Sequence, residues 1–204
     1  MRNARRLATI ALALLLTGCF WQGPAFYKAD PAIVGPIAPG RYKADILGDH
    51  KLAARMVVVR LADGSLLVDD AKPTSDDQGD HIVLAPLAVT GRDLWIVQTM
   101  NGPVDRVPAA DDDVTYGLME RRGDILAMSA TIDCVGTEAL VQAAGGMVSR
   151  MSASDPHGMP SRPDSSDVTC RFPDRASLER ALVAYAALHP QLSVRVRLTK
   201  IAER

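Results

Sequence analysis

The central part of the chain alternates between short apolar runs and short polar turns. Residues 56–61, 81–85 and 94–98 are rich in β-branched or aromatic side chains, which favour extended strands. Residues 62–65 carry the Asp-Gly pair that is typical of a tight hairpin. Similar apolar runs occur at residues 66–68, 114–120 and 125–132. Because parallel strands would need long crossovers, the pattern predicts an antiparallel β meander between residues 42 and 134.

Helical spacing begins only after Cys134. A short helix is predicted at residues 138–144, with Thr137 as its N-cap and two glycines at its end. A longer helix is predicted to begin after the N-cap Asp174 and to end before Pro190. Its apolar positions recur at intervals of three and four residues and form one face: Leu178, Ala181, Leu182, Tyr185 and Leu188.

The end of the chain returns to a two-residue period. Between residues 192 and 199 apolar side chains alternate with Ser193, Arg195, Arg197 and Thr199, which predicts a half-buried strand with a basic outer face. Another strand is predicted at residues 168–172. The fold class is therefore α+β: an antiparallel β meander, as a sheet or small barrel, with one C-terminal helix packed on it and a final strand. A single domain is assigned to residues 41–204.

The amino terminus has the pattern of an export signal. Arg2, Arg5 and Arg6 precede an apolar run at residues 7–16. Ten helical residues span about 15 Å, which is half of a hydrocarbon core of about 30 Å. The run is therefore too short for a permanent transmembrane anchor and is typical of a cleaved signal peptide.

The residues that end this run, Leu16-Thr17-Gly18-Cys19, resemble the lipobox of bacterial lipoproteins. In that family the chain is cut before the cysteine, whose sulfur carries a lipid, and the new amino terminus is usually acylated too. The resemblance covers residues 1–19. It implies that residues 1–18 are a signal peptide and that Cys19 is the lipidated first residue of the mature protein. Two or more acyl chains give stable attachment to a membrane.

In this family the residue after the cysteine helps to determine the membrane to which the protein is attached. In Gram-negative members of the family an aspartate at this position tends to retain the protein at the inner membrane. Phe20 stands there instead. The resemblance therefore implies the outer membrane, with the domain in the periplasm.

Residues 19–40 are predicted to form a lipidated, proline-rich tether. Four prolines and several glycines in this stretch disfavour a helix and favour an extended backbone. Phe20 and Trp21 suit the headgroup region of the membrane. Phe26 and Tyr27 have two possible places, either on the tether or packed onto the domain.

Composition limits the classes of partner that the chain could bind and indicates the redox state of its cysteines. Loss of three arginines with the signal peptide would leave 20 of the 23 basic residues against 24 acidic ones, so the mature chain is acidic. No basic cluster stands out along the sequence, which argues against nucleic acid as a partner. With Cys19 lipidated, Cys134 and Cys170 form an even pair in an exported protein. We therefore predict a disulfide between them.

The sequence offers few candidates for catalysis or metal binding, and no catalytic residue, metal ligand or cofactor is assigned. The histidines are scattered, without metal-ligand spacing: His50, His81, His157 and His189. The aspartates of residues 69–80 do not match the calcium loop of an EF-hand and favour a solvated loop. Residues 152–167 have the Ser, Pro and Asp content of a loop that could hold His157 beside a carboxylate and a serine.

These observations lead to one expectation and two alternatives. The expected function is that of a non-enzymatic binding or assembly factor, attached to the membrane through Cys19, with an envelope protein as a possible partner. The first alternative is a periplasmic hydrolase with a site near residues 152–167, which requires a pocket that holds His157 or His81 beside a carboxylate and a serine. The second is a carrier of a small apolar ligand, which requires an empty barrel interior.

Overall fold

The described chain folds into eleven strands and two helices. In the computed structural model the described residues are 20–47, 52–70, 79–100, 113–150 and 168–202. The strands are β1 (Trp21–Gly23), β2 (Gly40–Leu47), β3 (Leu52–Arg60), β4 (Leu66–Asp70), β5 (Asp80–Val89), β6 (Arg92–Met100), β7 (Val114–Arg122), β8 (Ile125–Ser129), β9 (Met147–Arg150), β10 (Val168–Arg171) and β11 (Val194–Lys200); the helices are α1 (Glu138–Ala143) and α2 (Arg175–Leu188).

Eight of these strands close into a barrel. Strands β2 to β8 follow one another as an antiparallel meander, each paired with the next. The final strand, β11, pairs with β8 on one side and with β2 on the other. The predicted antiparallel meander is thus confirmed. Of the two forms it left open, the structure has the barrel, because β11 joins both ends of the meander.

A three-stranded extension of the same sheet, here called the small sheet, lies beside the barrel and was only partly predicted. Strand β1 pairs with the first residues of β7 and, in parallel, with β10, which in turn pairs with β9. Strand β10 corresponds to a predicted strand, whereas β1 and β9 do not. Both are short, with three and four residues, and neither is long enough to show a clear two-residue period.

The barrel has two apolar cores, one on each side of its wall. Its interior is filled mainly by alternate residues of the strands, with Tyr42, Val58, Leu66, Ile82, Val97, Met119 and Leu126 buried there. The outer faces of β5, β6 and β7 bury a second set against α2 and the small sheet, including Val83, Ile96, Leu118, Phe172 and Leu182. These strands are therefore apolar on both faces, whereas β2 and β11 are apolar on their inner face only.

The predicted tether is wrong for the residues that the structure describes. Residues 20–39, here called the belt, run along the outside of the barrel and then reach one of its ends. Trp21 is fully buried and Tyr27 is 6% exposed, and Ile37 joins the core of the barrel interior. Of the two places considered for Phe26 and Tyr27, the structure has them on the domain. Prolines prevented a helix here, but the aromatic side chains provide enough apolar surface to hold an irregular segment in place.

Two polar side chains of the barrel wall hold the belt. The Gln98 side chain accepts a hydrogen bond from Tyr27 N and donates one to Tyr27 O, both at 3.0 Å. The Tyr116 hydroxyl accepts from Phe26 N at 3.1 Å and donates to Pro24 O. These side chains satisfy backbone groups that would otherwise be buried without a partner. Burial also raises the pKa of the Tyr116 hydroxyl far above its usual range, so it stays protonated and can donate.

We expect Gln98→Leu to lower the free energy of unfolding by about 2–3 kcal/mol, because it leaves the N–H and C=O of Tyr27 buried and unpaired. Urea unfolding measures the change. Gln142→Leu is the matched control: Gln142 is exposed on α1, and we expect a change within about 0.5 kcal/mol. Equal effects of the two substitutions would contradict the role of Gln98.

Helix α2 packs on the outer wall of the barrel. Asp174 caps it as predicted, accepting a hydrogen bond from Ser177 N at 2.8 Å. Leu178, Ala181 and Leu182 are fully buried, but Leu188, which was predicted to lie on the same face, is 69% exposed. It is the last residue of the helix and extends past the wall. Thr137 stands at the N-cap of α1 as predicted, but its hydroxyl makes no capping bond and instead donates to Asp133 O at 2.7 Å.

A buried carboxylate fixes the end of α2 to the barrel. Glu120 is 3% exposed and binds Arg92 through both oxygens, at 3.0 and 2.8 Å, and Arg122 at 2.9 Å. The two arginines also donate to Ala186 O and Pro190 O. Burial alone would raise the pKa of Glu120, but the hydrogen bonds and charges of the arginines outweigh it and lower that pKa.

We expect Glu120→Gln to lower the free energy of unfolding by about 2 kcal/mol at pH 7. Because the folded protein lowers the pKa of Glu120, this contribution is present above its unfolded pKa of about 4.5 and is lost as the pH falls below that value. Denaturant unfolding between pH 3 and 8 should show the two proteins converging in acid. The control is Asp124→Asn, which removes an exposed pair with Arg197 and should cost less than about 1 kcal/mol. If the difference in unfolding free energy between the wild-type protein and Glu120→Gln does not depend on pH, the stabilising role of the ionised Glu120 is contradicted.

Candidate functional site

The predicted lipidation site lies just outside the described residues, but its neighbours are firmly placed. Phe20, the residue after Cys19, forms a β-bridge with Asp133. Trp21 is fully buried; its indole N–H donates to the Thr137 hydroxyl at 2.9 Å, and its ring lies 5.1 Å from Phe172. The prediction that Trp21 rests among lipid headgroups is therefore wrong. Two residues span at most about 7 Å, which is the greatest distance that the chain allows between Cys19 and Trp21.

The predicted disulfide fixes the same region. Cys134 and Cys170 are bonded, with their Cα atoms 5.5 Å apart, and both are fully buried. Trp21 is paired with Cys170 in the small sheet, and its N–H donates to Ile132 O at 3.0 Å. The start of the belt therefore lies between the two chain segments that the disulfide joins.

A serine, a histidine and an aspartate meet at the turn between β3 and β4. The Ser65 hydroxyl lies 2.6 Å from His81 Nε2 and donates to Asp63 Oδ1, also at 2.6 Å. Ser65 is 1% exposed and His81 is 6% exposed. Burial lowers the pKa of His81, although the nearby Asp63 partly opposes this, and hydrogen bonds from Ser65 lower the pKa of Asp63.

The arrangement differs from that of a catalytic triad. An ionised Asp63 can only accept, so the single hydroxyl proton of Ser65 is committed to it and His81 must donate its Nε2 proton to Ser65. In a hydrolase triad the histidine accepts the proton of the serine, and the carboxylate orients the histidine. Here the carboxylate binds the serine, and the serine is buried. The geometry therefore fits a structural link between the β3–β4 turn and β5. His50, His157 and residues 152–167 lie outside the described residues.

The barrel interior offers little room for a ligand. Its side chains form one packed cluster. A cleft of about 160 Å³ lies at the end of the barrel, where Ile37 of the belt faces Tyr42, Leu126 and Leu198. Pockets for small ligands usually measure about 300–1,000 Å³. This cleft is smaller than such a pocket and lies at the end of the barrel rather than within it.

Five cations converge on one exposed face of the barrel. They lie on the outer faces of β2, β3 and β11 and are here called the basic wall: Arg41, Lys43, Arg55, Arg195 and Arg197. All five are exposed, and the partly exposed Val57 and Val59 lie among them on β3. The outer faces of β5, β6 and β7 are instead buried under the belt and α2.

The basic wall keeps an excess of positive charge. Lys43 pairs with Asp45 and Arg197 with Asp124, while Arg41, Arg55 and Arg195 have no carboxylate partner among the described residues. Lys43 and Arg55 lie directly opposite each other on paired strands. Like charges in that position are unfavourable for the sheet. Such a local cost is typical of a surface selected for binding rather than for stability.

The sequence predicted only one part of this wall. The basic outer face of the last strand was seen in Arg195 and Arg197, but Arg41, Lys43 and Arg55 lie about 150 residues earlier in the chain. Only the pairing of β11 with β2 brings the two groups together. Basic residues that do not cluster along the sequence therefore cluster in three dimensions. The two-residue spacing of Arg41 and Lys43 was the available signal.

Metal ligands, membrane spans and relatives add no further candidate in the described part of the chain. Within the described ranges, histidine, cysteine, aspartate and glutamate do not group in threes or more as metal ligands would. Neither α1 nor α2, the helices of the described chain, has the length and apolar character needed to cross a membrane. No protein-family model matches the chain, and neither a curated protein nor a solved structure is significantly similar to it.

Proposed function

We propose that this chain is a lipid-anchored protein of the bacterial cell envelope, attached through Cys19 to the outer membrane with its domain in the periplasm. Its role in this proposal is to bind or organise another envelope component without catalysing a reaction. The observation that carries the binding role is the basic wall, an exposed and incompletely neutralised face on an otherwise acidic protein.

The position of the belt is compatible with the anchor. A lipid on Cys19 needs a surface position for that residue, and the buried Trp21 limits its reach to about 7 Å from the domain. The acylated residue and the folded domain would thus meet at the membrane surface. The long flexible reach expected of a tether is not part of this proposal.

The anchor is tested on the protein produced in Gram-negative cells. Mass spectrometry of the N-terminal peptide should find Cys19 as the first residue, carrying acyl groups. Cys19→Ala should prevent both cleavage and acylation, and a globomycin-type inhibitor should leave uncut precursor. Normal cleavage in the presence of the inhibitor would refute the lipobox assignment.

The binding role is tested by chemical crosslinking in intact cells, followed by detergent purification and mass spectrometry. We expect one abundant envelope component to be recovered with the full protein, and to be lost when the domain is deleted and the anchor is kept. Recovery of the protein alone would argue against an assembly role.

The contact between Ser65 and His81 is the specific observation in favour of a hydrolase. We expect Ser65→Ala to leave any ester or amide hydrolysis by the purified protein unchanged, because Ser65 is buried and donates to Asp63. The free energy of unfolding should fall by about 1–2 kcal/mol, because Asp63 and His81 each lose a hydrogen bond. Loss of a measurable hydrolytic activity in this variant would support the hydrolase instead.

A further inference from the structure

We propose that the basic wall lies against the anionic phospholipid headgroups of the membrane that carries the acyl chains, and so sets the orientation of the domain. This inference rests on the proposed lipid anchor. It goes beyond that proposal by naming one partner of the domain, the phosphate-bearing surface of the bilayer, and the face that meets it.

The short distance from Cys19 to the first buried residue is the starting point. Because Trp21 is fixed in the small sheet, the domain cannot move far from the bilayer, and some face of it must lie close to the headgroups. The flanks of this attachment point are α2, whose Tyr185 contacts Trp21, and the barrel wall that continues through β7 and β8 to β11. Strand β11 is three strands from β1, or about 15 Å along the sheet.

The two flanks differ in their exposed charge. The outer face of β11 begins the basic wall, whereas the exposed side of α2 is mainly apolar, with Arg175 paired to Glu179 and Arg180 bound to Ala144 O. Basic residues near an anionic membrane surface are attracted within about 10 Å, and the attraction weakens as salt shortens that range. Arg41, Arg55 and Arg195, which have no carboxylate partner in the described chain, are free to meet phosphate groups.

The experiment uses the full acylated protein in vesicles that contain brominated lipid. One fluorophore is attached at Thr199→Cys, on the basic wall, and another at Val183→Cys, on α2; both native side chains are exposed. The vesicles contain phosphatidylcholine, either alone or with a quarter of phosphatidylglycerol. We expect the anionic lipid to increase quenching of the wall label at least about twofold, and to leave the α2 label unchanged. At about 1 M salt, where screening acts within about 3 Å, the increase should disappear.

A matched pair of variants isolates the wall. The triple variant Arg41→Gln, Arg55→Gln and Arg195→Gln should lose the increase at the wall label. The control removes the same charge elsewhere: Lys28→Gln, Arg150→Gln and Arg171→Gln, all exposed and outside the wall. It should keep the increase, with the N-terminal Cys19 acylated in both.

The possible outcomes distinguish a failure of this inference from a failure of the proposed lipid anchor. A protein without acyl groups, or one that does not float with phosphatidylcholine vesicles, would refute the anchor itself. If the acylated protein floats but its wall label is not quenched more in anionic vesicles, the proposed orientation is overturned. The basic wall would then be a candidate binding site for an acidic protein. Stronger quenching of the α2 label than of the wall label would overturn it as well.

Discussion

Trp21→Ala is expected to lower the free energy of unfolding by about 3–5 kcal/mol, one of the largest effects in the chain. The side chain is fully buried and packs against Phe172 and Tyr185, and its N–H donates to Thr137. Its removal leaves a cavity in the outer core and deprives the Thr137 hydroxyl of one of its hydrogen bonds. Urea unfolding of the mature protein in detergent measures the difference.

Phe20→Ala is the control for this prediction. It removes an aromatic ring from the neighbouring residue, which is only partly buried, and should cost about 1 kcal/mol. If the two substitutions have equal effects, Trp21 is not a core residue.

Loss of the disulfide should have a comparable effect. We expect the double variant Cys134→Ala and Cys170→Ala to lose about 4 kcal/mol, because the bond closes a loop between residues 36 positions apart and so restricts the unfolded chain. For a domain of this size the melting temperature should fall by about 8–16 °C. Differential scanning calorimetry, with thiol reductant absent, measures this change.

The wild-type protein provides the control for the disulfide. Reductant should lower its melting temperature to near that of the double variant, and should leave the variant unchanged. In the unfolded, unreduced protein neither cysteine should react with a thiol reagent. Reaction of both Cys134 and Cys170 under those conditions would show that the bond is absent.

The fold was predictable where the sequence has a clear period. The two-residue alternation and the Asp-Gly turn gave the meander, and the three- and four-residue spacing gave α2 with its cap at Asp174. Closure of the barrel was not predictable, because it depends on a pairing between β2 and β11 across about 150 residues. The belt was missed because proline content reports only that a helix is absent. It carries no information on whether Trp21 and Tyr27 find a place in the core.

The candidate site was predictable to a smaller degree. The number of cysteines in a chain with a predicted export signal was enough to predict the disulfide between Cys134 and Cys170, because counting cysteines requires no knowledge of the fold. The basic wall required the register of three strands, because each strand contributes only one or two cations. Ser65, His81 and Asp63 also meet only through strand pairing, and their roles depend on which atom donates each hydrogen bond.

The place of β11 has a consequence for the order in which the chain can fold. This strand ends at Lys200 and pairs with both β2 and β8, so the barrel cannot close before β11 is available. Until then the edges of β2 and β8 are unpaired and available to other extended chains. Strand β1 likewise depends on β10, which lies about 150 residues later in the chain. A chain that still lacks β11 is therefore the form most exposed to aggregation.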